Sequence, residues 1–287
     1  MRLRAPAKVN LGLELTAKRP DGYHEVSSVM MAVQLCDEVE TFRTETGSSH
    51  VDDLPREFIR TELTDTTLAL FAAATEGDSR FETRIAKHIP VAAGLGGGSS
   101  DAAIALAAAN WLSQNPLSDL DLVEIAGRIG SDVTFFLSGG CARVSGRGEI
   151  VQQALPMPEV WIVLANPGFE LSTPDVYREL KRSDLTDGKR TGQIAESIAG
   201  GAPNWELMYN GLQAAALRLC PQIQTTLDLI ARHTPFNLLS GSGPTCFGLF
   251  ETREPAAAAE RELIDAGHWT WLGRPQGPWH VSDLRID

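Results

Sequence analysis

The sequence predicts an α+β chain built as two domains, and three features carry that reading. Apolar and polar residues alternate over residues 3–15, the period of a β-strand. A second alternating segment, residues 81–89, runs into a glycine-rich loop and then an alanine-rich apolar run from Ala102, which reads strand, loop, helix. From about Pro156 the pattern restarts with a new strand, a group of helices and a smaller glycine loop. With 287 residues, 43% hydrophobic and 22% charged, the chain can bury two cores and is too apolar to be disordered.

Taken in order, Leu3, Ala5, Ala7, Val9, Leu11, Leu13 and Leu15 form one face of a half-buried strand, and Lys8 and Asn10 share the other. Arg19-Pro20-Asp21-Gly22 is turn chemistry, because proline presets φ and glycine accepts positive φ. The turn delivers Tyr23 and His24 to a second strand over residues 26–33, so the first two elements form a hairpin. Residues 43–66 are polar and poorly periodic, and residues 67–75 read as a short helix. After the glycine loop, Ser99, Ser100 and Asp101 are cap candidates for a buried helix over 102–112, apolar nearly all round and built of small residues.

Residues 119–130 form an amphipathic helix stopped by Gly130, and residues 131–137 pass from polar to apolar. The domain boundary falls near Pro156 to Pro158, dividing an N-terminal domain, 1–156, from a second domain, 157–287. The second half reads as a strand at 160–165, a polar connection at 183–204, and helices at 206–219 and 223–233. The loop Ser240-Gly241-Ser242-Gly243-Pro244 then feeds a strand at 245–250, and a helix runs from Pro255 until Gly267 stops it. Helices on one face of an antiparallel sheet follow from this order.

A formal net charge of −12 opposes attraction to nucleic acid or anionic membrane, so an anionic substrate must be held by local positive charge. Cys36, Cys141, Cys220 and Cys246 are far apart and lack metal-site spacing, which makes them reduced, mostly buried thiols. Pro6, Lys8 and Asn10 interrupt any signal-peptide core, and no uncharged stretch reaches transmembrane length, so a cytoplasmic location is expected.

The loop Pro90-Val91-Ala92-Ala93-Gly94-Leu95-Gly96-Gly97-Gly98-Ser99-Ser100 carries the chemistry. Glycines before a helix offer backbone N–H groups unobstructed by Cβ atoms, and the helix dipole adds positive potential, so a nucleotide triphosphate can rest there. It is not a Walker A loop, since Ser99 and Ser100 follow the last glycine where Lys and Ser or Thr are required. It is not a dinucleotide fingerprint, since Ser99 stands where the third glycine belongs.

Three stretches, Pro6-Ala7-Lys8-Val9-Asn10-Leu11, Pro90 through Ala103, and Ser240-Gly241-Ser242-Gly243, resemble the three motifs of the GHMP kinases, in the family's order. Residues 19–26 and 130–136 resemble the branch of that family acting on a cytidine-diphosphate-linked methylerythritol of the non-mevalonate isoprenoid pathway. The resemblance covers most of the chain to about Phe250. It implies a ribosomal-S5-like N-terminal domain, a ferredoxin-like C-terminal domain closing over the substrate, and transfer of the γ-phosphoryl group of ATP, with Mg2+, to a substrate hydroxyl. By the same resemblance Asp132 is the catalytic carboxylate and Lys8 its partner, a pairing that suits phosphoryl transfer because an ammonium stabilises charge on the attacking oxygen.

The nucleotide contacts so implied are the whole loop, Pro90 to Ser100, with Lys87 ahead of it and Thr67 near adenine; Ser100 also faces magnesium. Asn10, Tyr23, His24, Thr173, Tyr177, Gly241 and Ser242 face the acceptor, with Tyr177 stacking on cytosine. Neither nucleic acid nor membrane is an expected partner, and the chain is expected as a monomer or weak homodimer. Taken singly, Asp132 reads as a turn residue, Lys8 as an exposed edge charge, the serines as caps and Tyr177 as packing. Thr67 stands where the family has an Asn, Thr134 where it has a Pro, and residues 208–213 only partly fit its Asn-Asp-Leu-Glu. The alternatives are a GHMP kinase for homoserine or a sugar, and a non-catalytic nucleotide-binding regulator. Residues 268–287 have no match, and Trp269, Trp271 and Trp279 read as packing or a dimer contact.

Overall fold

The computed structural model describes residues 1–44, 58–75 and 80–279. Two long strands, β1 (Arg2–Lys18) and β2 (His24–Arg43), form the expected hairpin, paired from Arg2↔Glu40 to Lys18↔His24. Next come β3 (Phe58–Ile59), α1 (Glu62–Ala74), β4 (Phe81–Ala86), α2 (Gly97–Leu112), α3 (Asp119–Ile129), α4 (Val133–Phe136), β5 (Cys141–Ser145) and β6 (Ile150–Leu155). The chain continues through β7 (Trp161–Asn166), α5 (Thr173–Arg178), α6 (Lys189–Ala199), β8 (Tyr209–Asn210), α7 (Gln213–Leu219) and α8 (Ile223–Ala231). It ends with β9 (Asn237–Leu239), β10 (Cys246–Phe250), α9 (Arg253–Asp265) and β11 (Trp269–Gly273).

The first sheet runs β3-β4-β2-β1-β8, with β5 joining the stretch of β2 that β4 leaves free and β6 closing on β5. The second is antiparallel, β11-β7-β10-β9. Ala7, Val9 and Leu11 of β1, with Val29, Met31 and Val33 of β2, pack against Ile162, Leu164, Phe247 and Leu249 of the second sheet. The opposite face of β2, Met30 and Ala32, packs on Ala102, Ala103 and Leu106 of α2 and on Phe71 and Phe135. A third core lies under α7 to α9, where Ile223, Leu227 and Leu263 cover Val163 and Cys246.

Burial of both sheet faces changes the reading of β1, which is not half-buried. Lys8 is 4% and Asn10 1% exposed, because α2 covers the face that alternation assigns to water. Helix α2 starts two residues before the serines, with Gly96 as N-cap at φ 71° and no side-chain cap, so Ser99, Ser100 and Asp101 lie inside its first turns. Helix α1 starts at Glu62, where the Thr61 side chain accepts from the Thr64 N–H, five residues earlier than the expected helix. Within the expected polar connection lies α6, whose Thr191, Ile194, Ala195 and Ile198 are buried at helical spacing against β1 and β2.

The expected helix 206–219 is interrupted because Tyr209 and Asn210 pair in parallel with Gly12 and Leu13. Residues 138–155, unread in the sequence, supply β5 and β6, and the apolar end of 131–137 folds as α4. Trp269 and Trp271 lie on β11 and pack against the central core, while Trp279 sits over Gly139, and all three are half-buried. Residues 45–57, part of the expected 43–66 connection, and 280–287 lie outside the described residues. All four cysteines are free, and three are buried.

Candidate active site

One cavity of about 1150 Å³ opens between the glycine loop, the start of β2, the α3–α4 turn and α5. The loop that forms one wall alternates hand: Ala92, Gly94 and Gly96 hold φ of 51°, 76° and 71°. Alternating left- and right-handed residues turn successive N–H groups to one side, a cradle for an anion. Glycine is required at two of these positions. A Cβ on Gly94 would lie 2.1 Å from the Ser240 carbonyl oxygen, and one on Gly96 would meet Lys8 and Phe136 at 3.0–3.1 Å. Beyond Gly96, the N-terminal turn of the 16-residue α2 faces the cavity through Gly97, Gly98 and Ser99 with no side chain capping it.

The second glycine loop supports the first rather than forming a separate site. Ser240 Oγ donates to the Gly94 carbonyl at 3.0 Å, and the Thr245 N–H donates to Ala93 O at 3.3 Å. Asn210 holds this loop from below, its Nδ2 donating to Leu239 O and Gly241 O, each at 2.8 Å. The partly matching 208–213 stretch therefore has a clear role as a brace.

At the cavity floor Lys8 Nζ lies 3.5 Å from Asp132 Oδ2 and donates to Asn10 Oδ1 at 2.6 Å. Asn10 Nδ2 donates to Ser28 Oγ at 2.9 Å, and Ser28 Oγ to Gly12 O at 2.6 Å. The chain of donors fixes which face of the Asn10 amide meets Lys8, so the ammonium is aimed by buried neighbours. Asp132 comes from the turn after α3, and its side chain is 26% exposed to the cavity.

Lys87 lines the same cavity from behind the loop and donates to Asp101 Oδ2 at 2.8 Å and to Asp37 Oδ2. Asp37 Oδ1 accepts the backbone N–H groups of His88 at 2.6 Å and Ile89 at 2.8 Å, tying β2 to the residues that enter the loop. Burial pushes Asp101 up to about 7, with Lys87 pulling it back. Burial disfavours the Lys87 charge, but the two carboxylates outweigh it and raise its pKa. Asp37 and Asp101 were invisible as a pair in the sequence, since 64 positions and three elements separate them.

On the opposite wall the rings of His24 and Tyr177 lie 5.7 Å apart, tilted by 37°. Burial, with Lys18 nearby, lowers the His24 pKa, keeping its ring neutral at neutral pH. Burial and then the Asp132 carboxylate raise that of the Tyr177 phenol. Thr173 and Ser242 hydroxyls meet at 2.7 Å, joining α5 to the second glycine loop. Tyr23 is 54% exposed, and the Arg147 guanidinium sits 5.0 Å over its ring. Arg147, on the β5–β6 turn, lines the cavity without any motif to announce it.

The expected site residues therefore converge on one cavity, with two exceptions. Thr67 is buried in α1 and donates to Leu63 O at 2.7 Å; because that helix starts early, Ile59, Thr61 and Leu63 form the wall instead. Ser100 lies off the cavity lining with its hydroxyl buried and unpartnered, because the helix starts at Gly97 and turns it inward.

Residues 58–140 match the model for the GHMP kinases N terminal domain, and residues 187–268 that for the GHMP kinases C terminal domain. A Pelobacter propionicus protein named 4-diphosphocytidyl-2-C-methyl-D-erythritol kinase is 38% identical, covering 93% of this chain and 95% of its own. The chain belongs to the GHMP kinase family. It is thus a small-molecule kinase of mixed α+β architecture. A Brevibacillus brevis relative of the same name is 41% identical over 87% of each chain. The crystal structure of a 4-(cytidine 5'-diphospho)-2C-methyl-D-erythritol kinase superposes with a TM-score of 0.79 at 32% identity, over 96% of this chain and all of the other. A homoserine kinase from Cytophaga hutchinsonii reaches 0.75 at 19% identity over 96% and 95%, a likeness of fold. Among the described residues no helix is long and apolar enough to cross a membrane.

Proposed function

We propose that this GHMP kinase transfers the γ-phosphoryl group of ATP to a hydroxyl of 4-diphosphocytidyl-2-C-methyl-D-erythritol. The observation that carries the reading is the placement of the Lys8–Asp132 pair between an anion cradle and an aromatic pair in one cavity. Residues 1–156 contribute the cradle and the pair, and residues 157–287 contribute α5 and the second glycine loop over the acceptor. Names of relatives at 38% and 41% identity support the same substrate.

ATP lies with its phosphates on the loop N–H groups and the α2 N-terminus. The acceptor hydroxyl, held beside Asp132, attacks the γ-phosphorus; its O–P bond forms as the bond to ADP breaks, the electron pair leaving on the β-phosphate oxygen. Asp132 takes the hydroxyl proton, and Lys8 stabilises charge on the attacking oxygen. Stacking by Tyr177 and the neutral ring of His24 read cytosine.

Among the described residues no trio of His, Cys, Asp or Glu is grouped to hold a metal ion. Mg2+ would be held chiefly by the ATP phosphates, with Asp132, a carboxylate exposed to the cavity, as the side chain available to it. When bound, the ion neutralises phosphate charge.

The test is ATP-dependent phosphorylation over a panel of cytidylated polyols, uncytidylated methylerythritol phosphate, homoserine and simple sugars. Turnover confined to the cytidylated acceptor is expected. Preference for homoserine or a sugar would move the chain to another substrate branch of the family, and absence of any transfer would favour a nucleotide-binding regulator.

A further inference from the structure

The cavity wall reverses the charge of the molecule around it. The chain carries a formal net charge of −12, yet among the described residues seven lysines and arginines line the cavity against two carboxylates, Asp101 and Asp132. Four of the seven are engaged: Lys8 faces Asp132, Lys87 faces Asp37 and Asp101, Arg178 pairs with Asp175, and Arg147 lies 3.6 Å from Glu149. The other three, Lys18, Lys181 and Arg182, make no salt bridge among the described residues and are exposed.

These three gather at the acceptor end. Lys18 is paired in register with His24 at the end of β1, and Lys181 and Arg182 follow α5, which carries Tyr177. Asp184, the acid facing Lys181, is also held by Arg218 at 2.6 Å, so it offsets the Lys181 charge only in part. Three exposed, unpaired cations at a cavity mouth in an acidic molecule focus field lines for an incoming anion, where low-dielectric walls strengthen them. The phosphate-bearing end of the acceptor is the ligand group with the matching charge.

We propose that Lys18, Lys181 and Arg182 form a cationic rim that captures the diphosphate of a cytidine-diphosphate-bearing acceptor and draws it into the cavity against the net field of the protein. This rests on the substrate class proposed above. Capture by the rim acts on association, so its signature is a salt-dependent on-rate.

The test compares association rates of ribose-labelled cytidine diphosphate and equally labelled cytidine, by stopped-flow fluorescence, across ionic strengths. The proteins are the wild type, a K18Q/K181Q/R182Q variant, and a K18R/K181R/R182K variant that keeps the charge. In the wild type the diphosphate associates faster at low salt and cytidine is insensitive. Neutralisation is expected to slow diphosphate association about tenfold at low salt and flatten its salt dependence, with cytidine unaffected and the charge-keeping variant like wild type. Unchanged diphosphate association in the neutralised variant overturns the proposal, as does equal slowing of cytidine. Turnover on the cytidylated polyol reads the substrate assignment separately: salt-dependent capture of the diphosphate without phosphoryl transfer removes that assignment and leaves the rim standing.

Discussion

In the proposed reaction Asp132 receives a proton and Lys8 stabilises the oxygen that loses it, and the two roles can be separated by substitution. Asp132→Asn keeps size and hydrogen bonding but removes the base, so kcat should fall about a hundred- to ten-thousandfold with ATP affinity retained. Wild-type turnover by the purified, folded variant would show that another group accepts the proton. Tyr177 stands 5.7 Å from His24 on the acceptor wall, and base stacking is worth about 1–3 kcal/mol. Tyr177→Ala should therefore raise the acceptor KM roughly tenfold while leaving the ATP KM within about twofold. A parallel rise in both constants would mean that the ring braces the fold instead of reading the base.

At the scale of elements, the glycine loop is held by what lies behind it. Positive φ is held by Gly94 and Gly96, whereas Gly97 is already helical. Its constraint is space, since an added Cβ would stand 3.1 Å from Ile89 Cγ2 and 3.3 Å from Lys87 Nζ. Gly97→Val should displace Lys87 and the first turn of α2, weaken ATP binding and lower turnover by about a hundredfold, the order that an ångström of misplacement costs in rate. Calorimetry showing unchanged ATP affinity would place the triphosphate elsewhere. Asp101, raised to about 7 by burial, adds a pH signature. A carboxyl raised on folding binds more protons folded than unfolded, so stability falls as pH rises between about 4 and 7. Asp101→Asn should flatten that decline in urea midpoints measured across the window. A variant that keeps the wild-type slope would assign the titration to another group.

For the whole molecule, the two halves are interlocked rather than strung in series. Helix α6 and strand β8, both beyond residue 156, pack on β1, and the Thr191 N–H donates to the buried Glu14 carboxylate at 2.6 Å. The second sheet covers the apolar face of Ala7, Val9 and Leu11. A fragment ending at Pro156 would leave this face in water, so it should bind a hydrophobic dye and lack near-ultraviolet circular dichroism. A fragment with a cooperative urea transition and a fixed aromatic signal would show that the N-terminal half folds unaided.

Local signals were enough for the hairpin and the strand–loop–helix unit, while the pairing of Lys8 with Asp132 came from the family resemblance. Turn residues, glycine spacing and short-range periodicity act within a few positions, and the two glycine loops with Lys8 and Asp132 are legible as motifs without coordinates. Helix α6 also left a readable trace in the spacing of Thr191, Ile194, Ala195 and Ile198, which the polarity of its surroundings masked. Other features depend on partners distant in the chain. Lys8 and Asn10 are buried because α2 lies on a face that alternation gives to solvent, and Thr67 is withdrawn from the cavity because a cap at Thr61 starts α1 early. Asp37, Lys87 and Asp101 meet across three elements, and Lys18 joins Lys181 and Arg182 across the mouth of the cavity. Sequence by itself determined the hairpin, the strand–loop–helix unit and most other elements, because these reside in local steric and hydrogen-bonding preferences, and its motifs carried the family resemblance. Only the tertiary structure decided which charges are buried, paired or free, because desolvation and Coulomb energy depend on what the fold brings within a few ångströms.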